Sequence, residues 1–172
     1  SRGDPNAFES VLTFAPDGAY GHPDHVAIHY AAKQAFALAG EPAQYPEHGA
    51  LGLSPYAPKK LYYTAFPKGF LKVAVAALRL LGKDPSKFGR NQDINLAEIA
   101  SWEQEVTTRI DTRRYLDLKL KAGECHQSQT GPSGMFGWMP GPLRRRVMGG
   151  ETFTRAQPPV NGKIKVETDL FV

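Results

Sequence analysis

Three short apolar runs rich in β-branched and aromatic residues, at 11–14, 61–66 and 106–111, alternate with stretches of helical character. That alternation leaves few architectures open. Turn chemistry bounds the first two runs: Ala15-Pro16-Asp17-Gly18 follows the first and Pro67 ends the second. A helix opens at Pro23 or Asp24, because proline suits a first turn and a carboxylate suits its positive end. Val26, Ala27, Tyr30, Ala31, Gln34, Ala35 and Leu38 carry it until Gly40-Glu41-Pro42 stops it. Leu71, Val75, Leu78 and Leu81 predict a second, core-facing helix over 70–81. Thr112 is the expected cap of a third helix. On it, Tyr115, Leu118, Ala122 and Cys125 form an inward stripe that makes Cys125 a buried core thiol. Residues 41–58 and 131–150 read as Gly/Pro-rich loops, and a last strand includes residues 151–153. The expectation is an α/β layered fold with a mostly parallel sheet flanked by helices. In such sheets ligands gather at the carboxyl ends of the strands, so the loop after Phe14 is where chemistry is expected.

The chain has 172 residues, enough for one domain spanning 1–172. With 41% hydrophobic and 22% charged residues it has the composition of a globular protein. Its net charge of +4 lacks the concentrated Lys/Arg stripe of a nucleic-acid binder. A single cysteine excludes an internal disulfide framework and a Cys-rich metal cage, and suits a reducing compartment. No apolar run reaches the roughly 18 residues of a membrane span, and the first residues carry no signal-peptide core. A cytoplasmic protein with no membrane partner is expected. The opening Ser1-Arg2-Gly3-Asp4-Pro5 lacks methionine and the first strand follows closely, so the chain is read as the downstream portion of a longer polypeptide.

Functional side chains are densest in Tyr20-Gly21-His22-Pro23-Asp24-His25. Two histidines with a carboxylate between them open a helix directly after a strand. Neutral imidazole is a common metal ligand and the usual acid–base group near neutral pH. A nearby carboxylate fixes its tautomer. The plainer alternative is that His22 turns a loop and His25 is a surface helix residue, since H-x-x-H falls short of the H-E-x-x-H pattern. A catalytic zinc site takes about three protein ligands plus water, and His29 and His48 are poor candidates for the rest. The cluster amounts to half a site.

The stretch from Thr13 through Ala15-Pro16-Asp17-Gly18-Ala19-Tyr20-Gly21-His22-Pro23-Asp24-His25 resembles the second signature of the PIG-L/LmbE-like family, zinc-dependent de-N-acetylases of N-acetylglucosamine derivatives. Lys60-Leu61-Tyr62-Tyr63, Val106-Thr107-Thr108, His126-Gln127-Ser128-Gln129, Glu151-Thr152-Phe153 and Asp169-Leu170-Phe171 are similar to further parts of it. The resemblance implies a Rossmann-like layered domain. It also implies a Zn²⁺ cofactor, with Fe²⁺ acceptable to the same shell, and a small N-acetyl-sugar substrate. By resemblance, His25 is a zinc ligand and His22 the general acid or oxyanion stabiliser. Asp24 is the carboxylate that tunes His22, and Tyr20 is a mobile tyrosine on the substrate carbonyl. The family's other signature, of the A-H-P-D-D-E type, supplies the water-activating Asp and the remaining ligands. This chain contains no such segment, so an N-terminal segment is expected to complete the site and the chain alone is expected to be inactive.

Other features have plainer readings. His126–Gln129 is either a pocket edge or a helix end that accepts a histidine. Arg144-Arg145-Arg146 is read as a solvated face. Met135-Phe136-Gly137-Trp138-Met139 is a lid over the sugar, a homo-oligomer contact or core. The rival functions are a non-catalytic carbohydrate-binding relic or half-assembly of the same fold and, from another class, a basic nucleic-acid-binding module.

Overall fold

A computed structural model of the chain describes residues 9–66, 68–88, 92, 94–102, 104–126, 140–162 and 165–171. Strand β1 (Ser10–Thr13) leads into a kinked turn, α1 (Gly18–Gly21), and then the long helix α2 (Pro23–Leu38). A short helix α3 (Pro46–Ala50) interrupts the expected 41–58 loop, with Pro46 in its first turn. Strand β2 (Lys60–Thr64), α4 (Lys68–Leu80), α5 (Leu96–Ile99) and β3 (Thr108–Asp111) follow. A 3₁₀ turn (Arg113–Tyr115) opens α6 (Leu116–Glu124). Next come α7 (Gly141–Met148), within the stretch expected to be loop, and β4 (Gly150–Gln157).

The four strands form one sheet in the order β1-β2-β4-β3. β1 and β2 run parallel, Ser10 opposite Lys60 and Thr13 opposite Tyr63, with α2 in the crossover between them. β4 lies antiparallel to both β2 and β3. The fold is α/β as expected, but the sheet is mostly antiparallel rather than mostly parallel. The parallel expectation assumed that each helical stretch returns the chain by a single-helix crossover. Among the described residues, the β3–β4 connection instead holds a 3₁₀ turn, α6 and α7, and β4 runs in the opposite direction.

The core of the sheet is Leu61, Tyr62 and Phe153, with the Tyr62 and Phe153 rings edge to face 6.3 Å apart, and Val75, Ile99 and Leu116 are buried apolar residues of α4, α5 and α6. On α4, Val75 is buried and Leu71 and Leu78 half-buried, while Leu81, expected to face the core, lies past the helix end and is 72% exposed. The α6 stripe is also corrected. Leu116 is the buried residue, Tyr115 and Leu118 are exposed, and Cys125 is an exposed free thiol. The 3₁₀ turn has about three residues per turn and so shifts the helical phase by which the stripe was drawn. Thr112 makes no side-chain cap; the Asp111 carboxylate accepts the Arg113 N–H at 3.0 Å instead. Asp111 also accepts from the Arg113 guanidinium, and these bonds hold its carboxyl down at about 2.

Residues 165–171 lie across the sheet. Glu167 exchanges backbone hydrogen bonds with Thr107 and Arg109. Its carboxylate accepts from Tyr62 Oη at 3.0 Å, Thr108 Oγ1 at 2.9 Å and Arg155 Nη1, with Lys60 Nζ at 3.6 Å. Burial and this carboxylate push the Tyr62 phenol up to about 12. Burial works against ionising Glu167, but those donors and cations hold it below the usual carboxylate range.

Candidate active site at the carboxyl end of the parallel strands

Phe14 directly follows β1, and the chain then turns through residues that few sequences permit. Gly18 has φ +64 and Ala19 φ +68. Asp17 holds this turn: its Oδ1 accepts the Ala19 N–H at 2.9 Å and its Oδ2 accepts Gln104 Nε2 at 2.7 Å. Gln104 Oε1 in turn accepts the Phe66 N–H at 3.0 Å. The turn after β1 is thereby fastened to the chain just beyond β2, at the shared carboxyl end of the parallel pair.

His22 is the N-cap of α2. Its Nδ1 accepts the Asp24 N–H at 3.2 Å, and Pro23 fills the first helical turn. That bond fixes neutral His22 as the Nε2–H tautomer. The Asp24 carboxylate lies 3.9 Å from Nδ1 and is 88% exposed, so it acts on His22 through space and helps the helix N-terminus. His25, in the first turn of α2, donates Nδ1–H to the Gly18 carbonyl at 3.1 Å, which leaves Nε2 with its lone pair free. Its ring lies flat on Phe14, centroids 3.9 Å apart and planes within 4°. Tyr20 stands edge-on to His25 at 5.1 Å and to His22 at 5.8 Å, and the two imidazoles are 5.0 Å apart. All four residues singled out in the sequence, Tyr20, His22, Asp24 and His25, come together here.

This arrangement suits one metal ligand beside one proton donor. A ligating histidine ordinarily donates its second ring N–H to a carbonyl or carboxylate, as His25 does to Gly18. The cluster nonetheless offers a single open ligand nitrogen. Among the described residues no group of three or more His, Cys, Asp or Glu is placed to hold an ion.

Sequence reasoning ranks His29 a poor ligand candidate, places Phe14 and Asp17 in the signature stretch without a role, and does not point to Gln104; the structure ties all four to the site. His29 is 1% exposed, and its Nδ1–H donates to the Phe14 carbonyl at 2.8 Å. The spacing of His25 and His29, one helical turn apart, was the available signal; nothing local marks the Asp17–Gln104 bond across 87 residues. His48, within α3, stacks on Tyr45, the residue that precedes that helix. His126 lies just past α6, and Gln127–Gln129 and Met135–Met139 lie outside the described residues. Arg144 is half-buried on α7, and Arg145 and Arg146 are exposed as expected of a solvated face. Among the described residues no helix is long and apolar enough to cross a membrane.

No family model matches the chain. Curated proteins do. It is 30% identical over 162 residues to 1D-myo-inositol 2-acetamido-2-deoxy-alpha-D-glucopyranoside deacetylase 1 of Catenulispora acidiphila, covering 94% of this chain and 49% of that protein. The deacetylase of the same name from Thermobispora bispora is 31% identical over 175 residues, covering 94% of this chain and 55% of the relative. That of Rhodococcus jostii is 35% identical over 126 residues, covering 72% and 40%. The chain spans about half the length of the curated relatives it matches. Over that half, the chain is a relative of the deacetylases of the PIG-L/LmbE-like family.

Proposed function

We propose that this chain is the part of a metal-dependent sugar de-N-acetylase that carries its proton donor and one of its metal ligands. The substrate class is a small molecule bearing N-acetylglucosamine, of the inositol-linked type named for the relatives. The observation that carries the reading is His25: its Nδ1–H is committed to the Gly18 carbonyl, its ring is clamped on Phe14, and its Nε2 is open. His25 holds the metal through that nitrogen. Zinc is the expected ion, with Fe²⁺ acceptable, and when bound it supplies Lewis-acid activation of water and of the amide carbonyl.

His22 does the proton work. With Nδ1 accepting from the helix, the neutral ring presents Nε2–H outward, towards an oxyanion or the departing nitrogen. For the imidazolium the Asp24 carboxylate is the nearby counter-charge. The Tyr20 hydroxyl offers a second hydrogen bond to the developing oxyanion. The water-activating carboxylate and the remaining ligands come from the part of the relatives that this chain does not span. β1 is the edge strand among the described residues, and its exposed Leu12 together with the exposed Ile28 and Tyr30 of α2 offer a surface for that part. The exposed thiol of Cys125 fits a reducing, cytoplasmic setting.

The test is acetate release from 1D-myo-inositol 2-acetamido-2-deoxy-alpha-D-glucopyranoside by a protein containing this chain and its upstream segment, with and without added zinc. Zinc-dependent release that His22→Ala slows by about 10²–10³ supports the reading. Sugar binding without any acetate release replaces it with the carbohydrate-binding relic.

A further inference from the structure

We propose that His29 is a positioning residue that sets the ring plane and tautomer of His25 through Phe14. The proposal rests on the reading of His25 as the metal ligand, and goes beyond it by assigning work to a buried histidine that the site chemistry does not use.

His29 lies one helical turn after His25 on α2 and is the buried residue of that helix. Its Nδ1–H reaches back across the helix–strand junction to the Phe14 carbonyl at 2.8 Å. Its ring is braced edge-on by Tyr63 of β2 at 4.8 Å and by Tyr30 at 5.0 Å, so the donor has little freedom to swing. Phe14 is thus anchored by its backbone to the same helix whose His25 ring it stacks against at 3.9 Å. His25 is caught between two constraints. The Gly18 carbonyl draws out Nδ1–H, and the Phe14 face fixes the angle at which that bond is made. Release of the Phe14 backbone removes the second constraint, and the ring is then free to turn so that either nitrogen faces Gly18. A ligand nitrogen must carry no proton and must point one way, so the distinction matters for metal capture.

The experiment reads the His25 tautomer directly from ring ¹⁵N shifts and nitrogen–proton couplings, in labelled protein at a pH where imidazoles are neutral. It needs neither metal nor substrate. The wild type is expected to show His25 as a single Nδ1–H tautomer with cross-relaxation between its ring protons and those of Phe14. His29→Leu is expected to lose both signatures, giving mixed tautomers and no ring-to-ring cross-peak. His29→Asn puts an amide donor near the Nδ1 position and is expected to restore them. His29→Gln places the donor one bond farther out and is expected not to. If His29→Leu does not fold, the Asn and Gln pair decides: identical His25 spectra in the two overturn the proposal. A folded His29→Leu with an unchanged His25 overturns it as well, as does a wild type with mixed tautomers. The metal-binding reading fails separately, if His25→Ala leaves the metal content of the complete protein unchanged.

Discussion

Gly18 combines two demands that an L side chain does not meet together. Its φ of +64 lies in the left-handed region, and a Cβ there would sit 2.9 Å from Val26 Cγ2 and 3.1 Å from Val26 N. Val26 follows His25 on α2, and the Gly18 carbonyl holds His25, so strain at this point is felt at the site. Gly18→Ala is expected to destabilise the protein by about 1–3 kcal/mol, read as a lower urea midpoint; an unchanged midpoint contradicts the account. His22 is the helix cap and, in the proposed chemistry, also the proton donor, and the two roles are separable. His22→Asn keeps an N-cap acceptor and is expected to hold the melting temperature, while His22→Ala loses about 1 kcal/mol. In the complete enzyme both lower kcat by about 10²–10³ with metal retained. Near-wild-type kcat in either removes His22 from the chemistry.

The Asp17–Gln104–Phe66 chain of hydrogen bonds ties α1 to the end of β2. Gln104→Leu strips both partners at once and is expected to cost about 1–3 kcal/mol. Gln104→Glu sets a carboxylate against Asp17, so its melting temperature is expected to lie below that of Gln104→Leu at neutral pH and to recover in acid. The opposite order breaks this assignment. Which elements were readable in advance follows from how local their signals are. β1 and α2 are written in adjacent residues, a β-branched run, a Pro-Asp-Gly turn and a His-Pro-Asp helix start, and the cluster of Tyr20, His22, Asp24 and His25 assembles within that one β–turn–α unit. Strand direction is not local: β2 meets β4 with Leu61 opposite Gln157, and no feature near either residue specifies antiparallel pairing. The inward face of α6 departs from the regular helical stripe because the Arg113–Tyr115 turn alters the helical phase at the stripe's first residue. The placement of His29 is not legible in the sequence because its partner is a main-chain carbonyl 15 residues away, which a side-chain pattern does not display.

At the scale of the molecule, the carboxylate of Glu167 gathers strands β2, β3 and β4 and the C-terminal segment around one charge. Its lowered pKa means that the folded state favours the ionised form. This contribution is present above the ordinary carboxylate value of about 4.3 and is lost as pH falls through the lower folded value. Glu167→Gln is therefore expected to be less stable than wild type at neutral pH, with the gap in urea midpoint closing across that acid window; a constant gap contradicts it. The Tyr62 phenol, raised to about 12, has the reverse dependence, its contribution being present below about 10 and lost as pH climbs towards 12. The central claim is that the turn after β1 delivers His25 Nε2 to a metal. It is tested most directly by the metal content of the complete protein carrying this chain, wild type against His25→Ala, with the fold checked by circular dichroism. About one zinc or iron per chain in the wild type, lost in a folded His25→Ala, is the predicted result. Equal metal in the two proteins would contradict the account.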